Sequence, residues 1–248
     1  MTLRMVEAPS PNFNERLHPL DMLVLHYTGM KDGPSALARM RDPASQVSAH
    51  YMVEEDGTVL ALVAEDKRAW QAGRSWWRGE DDLNSRSIGI EIVNGGHEFG
   101  LPPYPDVQID AVIDLCRGIL SRWPIPQNRI VAHSDIAPER KEDPGERFPW
   151  RRLAEAGVGL WPAIDRNEQE AAVGLRPGDR GEQVISLQRK LMTIGYHLAL
   201  SGRFDDATEA VVRAFQRRWR AASVTGQGDP ETVLRIAAVA KLADPPAA

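Results

Sequence analysis

Ile130 to Trp150, reading IVAHSDIAPERKEDPGERFPW, puts a histidine, a lysine and an aspartate into a stretch too rich in proline, glycine and charge to be packing filler. Ile130, Val131 and Ala132 read as the end of a buried strand, which sets His133 at its mouth, where α/β folds keep their chemistry. Asp135, Pro138, Pro144 and Gly145 forbid a continuous helix, and Phe148-Pro149-Trp150 opens a new one. A loop carrying Lys141 and Asp143 so soon after His133 can fold back and bring imidazole and carboxylate to one point. Both groups are zinc ligands, and a catalytic zinc takes three protein ligands and leaves a fourth position open. A third ligand is therefore expected from elsewhere in the chain.

The elements that must position these groups follow from the apolar runs. Asp21 to Leu25 reads as a buried strand ending at His26-Tyr27-Thr28-Gly29, so a second strand end carries a histidine and could supply the ligand. Pro34 to Arg41 reads as a short helix with Pro43 beyond its end. Ala49 to Val53 and Thr58 to Val63 flank Asp56-Gly57, a strong hairpin signal. Ala64 to Ser87 reads as a long irregular segment carrying Trp70, Trp76 and Trp77. Their faces suit sugar rings or a peptide stem, or else one or two of the three cap the core. Ser87 to Asn94 reads as a strand in which Glu91 stands opposite the Ile88, Ile90, Ile92 face, toward water or toward an active cavity. Pro105 to Trp123 is an amphipathic helix stopped by Pro124. This order implies an α/β fold, a mixed central sheet flanked by helices.

The 248 residues suit one large domain or two small ones, and 42% apolar composition supports ordinary cores. A net charge of −5 with both signs interspersed gives no reason to expect nucleic acid or an anionic membrane as partner, and no membrane span is expected. Cys116 has no second cysteine to pair with and falls in the apolar pattern Val112, Ile113, Leu115, Ile119, Leu120, so it reads as a core thiol. The N-terminal MTLRMVEAPSPNFNERLHPLD lacks the apolar run of a signal peptide, which predicts a cytoplasmic location, or a periplasmic one if the N-terminus is incomplete.

LVLHYTG around His26, SAHYMVEEDGTVLALV around His50, AWQAG with SWWRG, SIGIEIVN around Glu91, and AHSDIAPERKEDPG occur in that order. The first ~165 residues thereby resemble zinc-dependent N-acetylmuramoyl-L-alanine amidases of the amidase-2 family, whose fold is shared with peptidoglycan recognition proteins. The resemblance implies one zinc held by His26, His133 and Asp143, Glu91 as general base and Lys141 beside the reacting carbonyl. It also makes Trp70, Trp76, Trp77 and Asn94 candidates for substrate contact. His50 matches a family histidine outside the usual ligand set, so a supporting or core role is expected rather than a fourth ligand. Two departures stand out: Gln71 where the family commonly has the histidine of AWHAG, expected to bear on substrate contacts, and Glu139 where it commonly has glycine, expected to change the loop backbone or its rim charge. His18, His97 and His197 lie in polar or surface contexts and are assigned no role.

Asp165 to Gly174 (DRNEQEAAVG) reads as a linker between a catalytic domain over 1–164 and a small all-α three-helix domain over 175–248. Val184, Leu187, Leu191 and Ile194 share one helix face, as do Ala210, Val211, Ala214, Phe215 and Trp219 on the next, and a last helix runs from about Pro230 to Leu242. GDRGEQVISLQRKLMTIGY and GRFDDATEAVVRAFQRRW resemble the repeat unit of the peptidoglycan-binding three-helix module, which binds glycan or else serves as a docking or stabilising piece. Together the resemblances imply hydrolysis of the amide between the lactyl group of (anhydro-)N-acetylmuramic acid and L-alanine. The missing signal favours soluble muropeptides in cell-wall recycling, and the module favours intact peptidoglycan. A muropeptide-binding protein without activity and an unrelated zinc hydrolase are the alternatives, though the HExxH helix of the latter is absent.

Overall fold

Strand alternation decides which side chains reach the site. In the computed structural model, which describes residues 3–164 and 173–243, strands β1 (Met5–Glu7), β5 (Val59–Ala61), β4 (Tyr51–Val53), β7 (Ser87–Ile92), β3 (Met22–Tyr27) and β8 (Ile130–Ala132) lie side by side in that spatial order. β3 runs parallel to both β7 and β8, and β4 joins antiparallel β5 through the expected Asp56-Gly57 turn. Leu23, Leu25, Ile88, Ile90 and Ile92 face one side, where Ile109, Val112, Cys116 and Ile119 of helix α3 (Asp106–Arg122) cover them. Cys116 is thus a core thiol, and burial pushes its pKa up to about 12.

The opposite face is shared by two covers. Helix α1 (Gly33–Arg41) packs Ala36 and Met40 over Met52 and Leu60. Its start is capped by Asp32, whose side chain accepts the Ser35 N–H at 2.8 Å. Farther along, Met22, Val24, Val131, Ala72 and Trp77 join one apolar cluster with the C-terminal helices, which follow the short helix α5 (Trp150–Glu155) in the chain: α6 (Glu182–Ile194), α7 (Asp206–Trp219) and α8 (Pro230–Ala243). His26, next on the face of Met22 and Val24, falls between the two covers.

The three C-terminal helices begin where the sequence pattern places them, and their repeat has a physical meaning. Gln188 donates to the Arg203 carbonyl and the Thr208 hydroxyl and accepts the Gly202 N–H. Gln216 does the same one repeat later, donating to the Gln227 carbonyl and the Thr232 hydroxyl and accepting the Gly226 N–H. Each buried amide satisfies the loop that follows its own helix and ties it to the start of the next. The linker expected over 165–174 falls, at 165–172, outside the described residues.

Two regions differ from the sequence reading. The stretch read as irregular contains β6 (Lys67–Ala69), antiparallel to β2 (Phe13–Glu15), and the short helix α2 (Leu83–Arg86). Strands of three residues are too short for a period of two to show. His133 opens the short helix α4 (His133–Ile136) rather than a loop.

Candidate metal centre and catalytic pocket

β3 and β8 each deliver one histidine to the same end of the sheet, and the segment after α4 returns Asp143 because the Ser134 N–H donates to the Asp143 carbonyl at 3.0 Å. Nδ1 of His26, Nδ1 of His133 and Oδ2 of Asp143 then stand 2.9, 3.0 and 3.0 Å from one another. All three residues are buried, and they form the one cluster among the described residues in which three such groups could share a metal ion.

The other ring nitrogens reveal which atoms are free. His26 Nε2–H donates to Gln71 Oε1 at 2.5 Å, and His133 Nε2–H donates to the Ala72 carbonyl at 3.1 Å. The direction is forced at its far end. The Leu83 carbonyl can only accept, so Ser87 donates its hydroxyl there; Ser87 Oγ then accepts from Gln71 Nε2, which turns Gln71 Oε1 toward His26. Both Nδ1 lone pairs therefore point at the Asp143 carboxylate. Two lone pairs and an anion converging on one point fit a small cation bound by nitrogen and oxygen. Without one, a proton serves: burial is the largest influence on His26 and disfavours its charge, but the bond to Asp143, the Glu91 and Asp143 charges and the bond to Gln71 together outweigh it and raise its pKa, while burial lowers His133 to about 4. Asp143, despite burial, is held well below the usual carboxylate range by the two imidazoles.

Gln71 therefore orients the His26 ring, where the sequence reading assigned it to substrate contacts. Its own position follows from two features of the sequence. Asn84 Oδ1 accepts both the Gln71 and the Ala72 N–H, at 2.9 and 2.7 Å. Gly89, in the middle of β7, leaves the space its side chain crosses: a Cβ there would lie 2.5 Å from Gln71 Cγ. Gln71→Leu keeps the bulk and removes the acceptor, and the affinity of the cluster for added zinc, measured by chelator competition, is expected to fall about 10- to 100-fold.

Glu91 is paired beside His26 on the neighbouring strand, and its Oε2 is buried with no hydrogen-bond partner among the described residues. Burial first, then the Asp143 charge, pushes its pKa up to about 7 against the pull of His26 and Lys141. Of the two orientations left open by the sequence, Glu91 thus takes the one facing the cavity. Lys141 lines the same pocket of about 540 Å³ with Tyr27, Trp70, Gln71, His133, Arg140 and Asp143, and makes no ion pair among the described residues. A larger hollow of about 920 Å³, lined in part by Trp161 to Ile164, holds none of the candidate groups.

Other expected site residues are redistributed. Trp70 lines the pocket and donates its indole N–H to Asn14 at 2.9 Å. Trp77 is 1% exposed and belongs to the core, since its indole packs against the C-terminal helices. Trp76 lies outside the pocket, 4.6 Å from the His197 ring in a groove between its loop and α6. Asn94 is buried; it donates to the Pro102 carbonyl and accepts the Gly96 N–H, which builds a turn instead of contacting the pocket. That turn carries His97, which lines the pocket beside the Tyr27 hydroxyl at 3.0 Å and bonds Glu146 through Nε2. Nothing in GGHEFG marks His97, because it sits on no periodic element.

His50 touches no ligand: it accepts the Gly89 N–H on Nδ1 and donates Nε2–H to the Lys67 carbonyl. It steadies the sheet beneath Glu91, and burial, helped by Arg16, lowers its pKa to about 3. Glu139 is exposed and stays outside the left-handed backbone region, so the departure from glycine alters rim charge rather than the chain path.

The N-acetylmuramoyl-L-alanine amidase family model matches residues 16–146, and a peptidoglycan binding domain model matches residues 180–236. N-acetylmuramoyl-L-alanine amidase AmiD of Escherichia coli K12 is 37% identical over 229 residues, covering 86% of this chain and 79% of AmiD. The solved complex of E. coli AmiD with anhydro-N-acetylmuramic acid-L-Ala-D-gamma-Glu-L-Lys superposes with a TM-score of 0.77 at 36% identity, over 90% of this chain and 89% of that one. Pseudomonas aeruginosa AmpDh3 in complex with anhydromuramic pentapeptide gives 0.76 at 33% identity, over 88% of this chain and 90% of that one.

Proposed function

Because the chain belongs to the N-acetylmuramoyl-L-alanine amidase family, we propose that it uses one zinc ion, held by His26, His133 and Asp143, to hydrolyse the lactyl–L-alanine amide of soluble anhydromuropeptides. The observation that carries the reading is the convergence of two imidazole lone pairs and a carboxylate within about 3.0 Å, beside a buried carboxylate oxygen with no partner. Zinc, when bound there, supplies an activated water and polarises an amide carbonyl. Glu91 takes the water's proton on its unpartnered oxygen and returns it to the leaving amine, for which a pKa near neutrality is suited. Lys141 sets a positive charge where the carbonyl oxygen becomes anionic. Trp70 and His97 stand on the wall of the same pocket and are assigned to substrate contact.

The anhydro sugar is favoured because two relatives that match nearly the whole chain were solved with anhydromuramoyl peptides. Turnover of such soluble fragments suits a cytoplasmic enzyme of cell-wall recycling. Residues 1–164 would form the catalytic domain and 175–248 the helical module.

Mass spectrometry of products tests both bond and substrate. Zinc-loaded protein is offered soluble anhydromuropeptides and intact sacculi in parallel, with a chelated control. Free stem peptide from the soluble substrate is the expected result. Release from sacculi alone would replace the recycling role with a wall-active one, and no release from either would overturn the amidase reading.

A further inference from the structure

We propose that the C-terminal helical module is a working part of the metal centre: its consecutive residues Arg217 and Arg218 clamp the two ends of the segment from His133 to Asp143, helix α4 and the loop after it. The inference rests on the zinc site proposed above and goes beyond it by giving the module a function other than holding peptidoglycan.

Arg218 Nη1 donates to Asp135 Oδ2 at 2.9 Å, two residues after His133. Arg217 Nη2 donates to Glu142, one residue before Asp143. Asp135 is fully enclosed, and both its oxygens are bonded: Oδ2 also takes the Ala132 N–H at 2.9 Å, and Oδ1 takes the hydroxyl of Tyr196, another module residue, at 2.6 Å. The carboxylate that fixes the backbone entering His133 is therefore partnered by two side chains of the module. The Arg218 guanidinium lies over Trp150 of the amidase part at 4.1 Å and over Trp219 of the module at 4.3 Å, so it stands in a slot made by both.

Trp77 and Arg78 hold the module in register. Arg78 donates its backbone N–H to the Gly195 carbonyl at 2.9 Å and its side chain to the Thr193 and Ile194 carbonyls at the end of α6. A Cβ on Gly195 would lie 2.5 Å from the Trp77 ring, so backbone and indole are in direct contact. An appendage that only tethered the enzyme to a polymer would have no need to enclose Asp135 or to pair with the residue beside a ligand.

The loop is also closed on itself by the Ser134–Asp143 bond at 3.0 Å. Fixing both ends to one rigid helix removes the freedom by which His133 and Asp143 would otherwise separate. The expected signature is looser metal binding, together with a loop that opens more often, when the clamp is cut.

The experiment uses the full chain and two readouts: zinc affinity by competition with a chromophoric chelator, and hydrogen exchange of amides 133–143 in the metal-free protein. Arg217→Gln leaves Glu142 in contact with water and is expected to fold; zinc binding weakens about tenfold and loop exchange speeds up at least about fivefold. Arg217→Lys restores most of both. Arg213→Gln, which breaks the Arg213–Glu209 pair on the same helix away from the loop, changes neither. Arg218→Met alone leaves Asp135 buried with one charge partner fewer, so Asp135→Asn with Arg218→Met tests that end without a stranded charge. Zinc affinity and loop exchange within about twofold of wild type in both Arg217→Gln and the double variant would overturn the clamp. Wild-type protein that binds no zinc would defeat the metal reading separately, and the exchange arm still decides whether the module orders the loop.

Discussion

Glu91→Ala is expected to lower kcat by about 10²–10⁴-fold while zinc stays bound at one ion per chain, because the carboxylate moves a proton and holds no ligand position. The test is single-turnover hydrolysis alongside metal analysis of the same sample. Full activity would remove Glu91 from the chemistry, and loss of zinc would make its role structural. The raised pKa of about 7 yields a companion result in the metal-free protein. A carboxyl group whose folded pKa lies above its unfolded one binds its proton more tightly when folded. Its stabilisation is complete below the unfolded value and is lost as pH rises through the folded one. Metal-free Glu91→Gln, which cannot ionise, should therefore be more stable than wild type at pH 8, by on the order of 2 kcal/mol, and no more stable at pH 4. Urea unfolding in chelator at the two pH values measures this.

Asp143→Asn should be nearly as severe, and by a different route. The substitution keeps the shape but removes the anion toward which both Nδ1 atoms point, at 3.0 Å each. A neutral amide is a poor zinc ligand, so bound zinc is expected to fall well below one per chain after dialysis and hydrolysis to fall to background. Excess zinc should recover part of the activity of Asp143→Asn and none of that of Glu91→Ala. An Asp143→Asn protein that keeps its zinc would remove Asp143 from the ligand set.

The two variants thus separate the roles that one pocket combines. Glu91 sits on β7 and His26 on β3, neighbours in the sheet, while Asp143 arrives from the far side of a loop. Damage to the strand residue is expected to leave the metal in place, and damage to the loop residue to take it away. The proposed clamp would link metal retention to residues more than 70 positions later in the chain, as in the 75-residue separation of Arg217 and Glu142.

Much of the candidate site was legible in the residues themselves. His26 and His133 end apolar runs, Glu91 interrupts one, and Asp143 lies in a proline- and glycine-rich turn; each pattern is local, and local pattern is what strand period and turn chemistry report. The α/β sheet, α1, the hairpin, α3 and the three C-terminal helices were legible for the same reason. Substrate-facing residues were less so. Trp70, Trp76 and Trp77 look alike in sequence, yet one lines the pocket, one faces His197 and one is core, because exposure depends on what packs above them.

What only the tertiary structure decided is how the ligands are held. No spacing rule connects Gln71 to His26, Asn84 to Gln71, or Arg218 to Asp135, since each contact joins elements separated by loops and by strand order. The sequence by itself singled out the candidate groups, because their types and spacing follow from local pattern and from the motifs that carry the family resemblance. Burial and hydrogen-bond direction determined which nitrogen of each histidine is free and what fixes it there, because both are properties of the packed molecule.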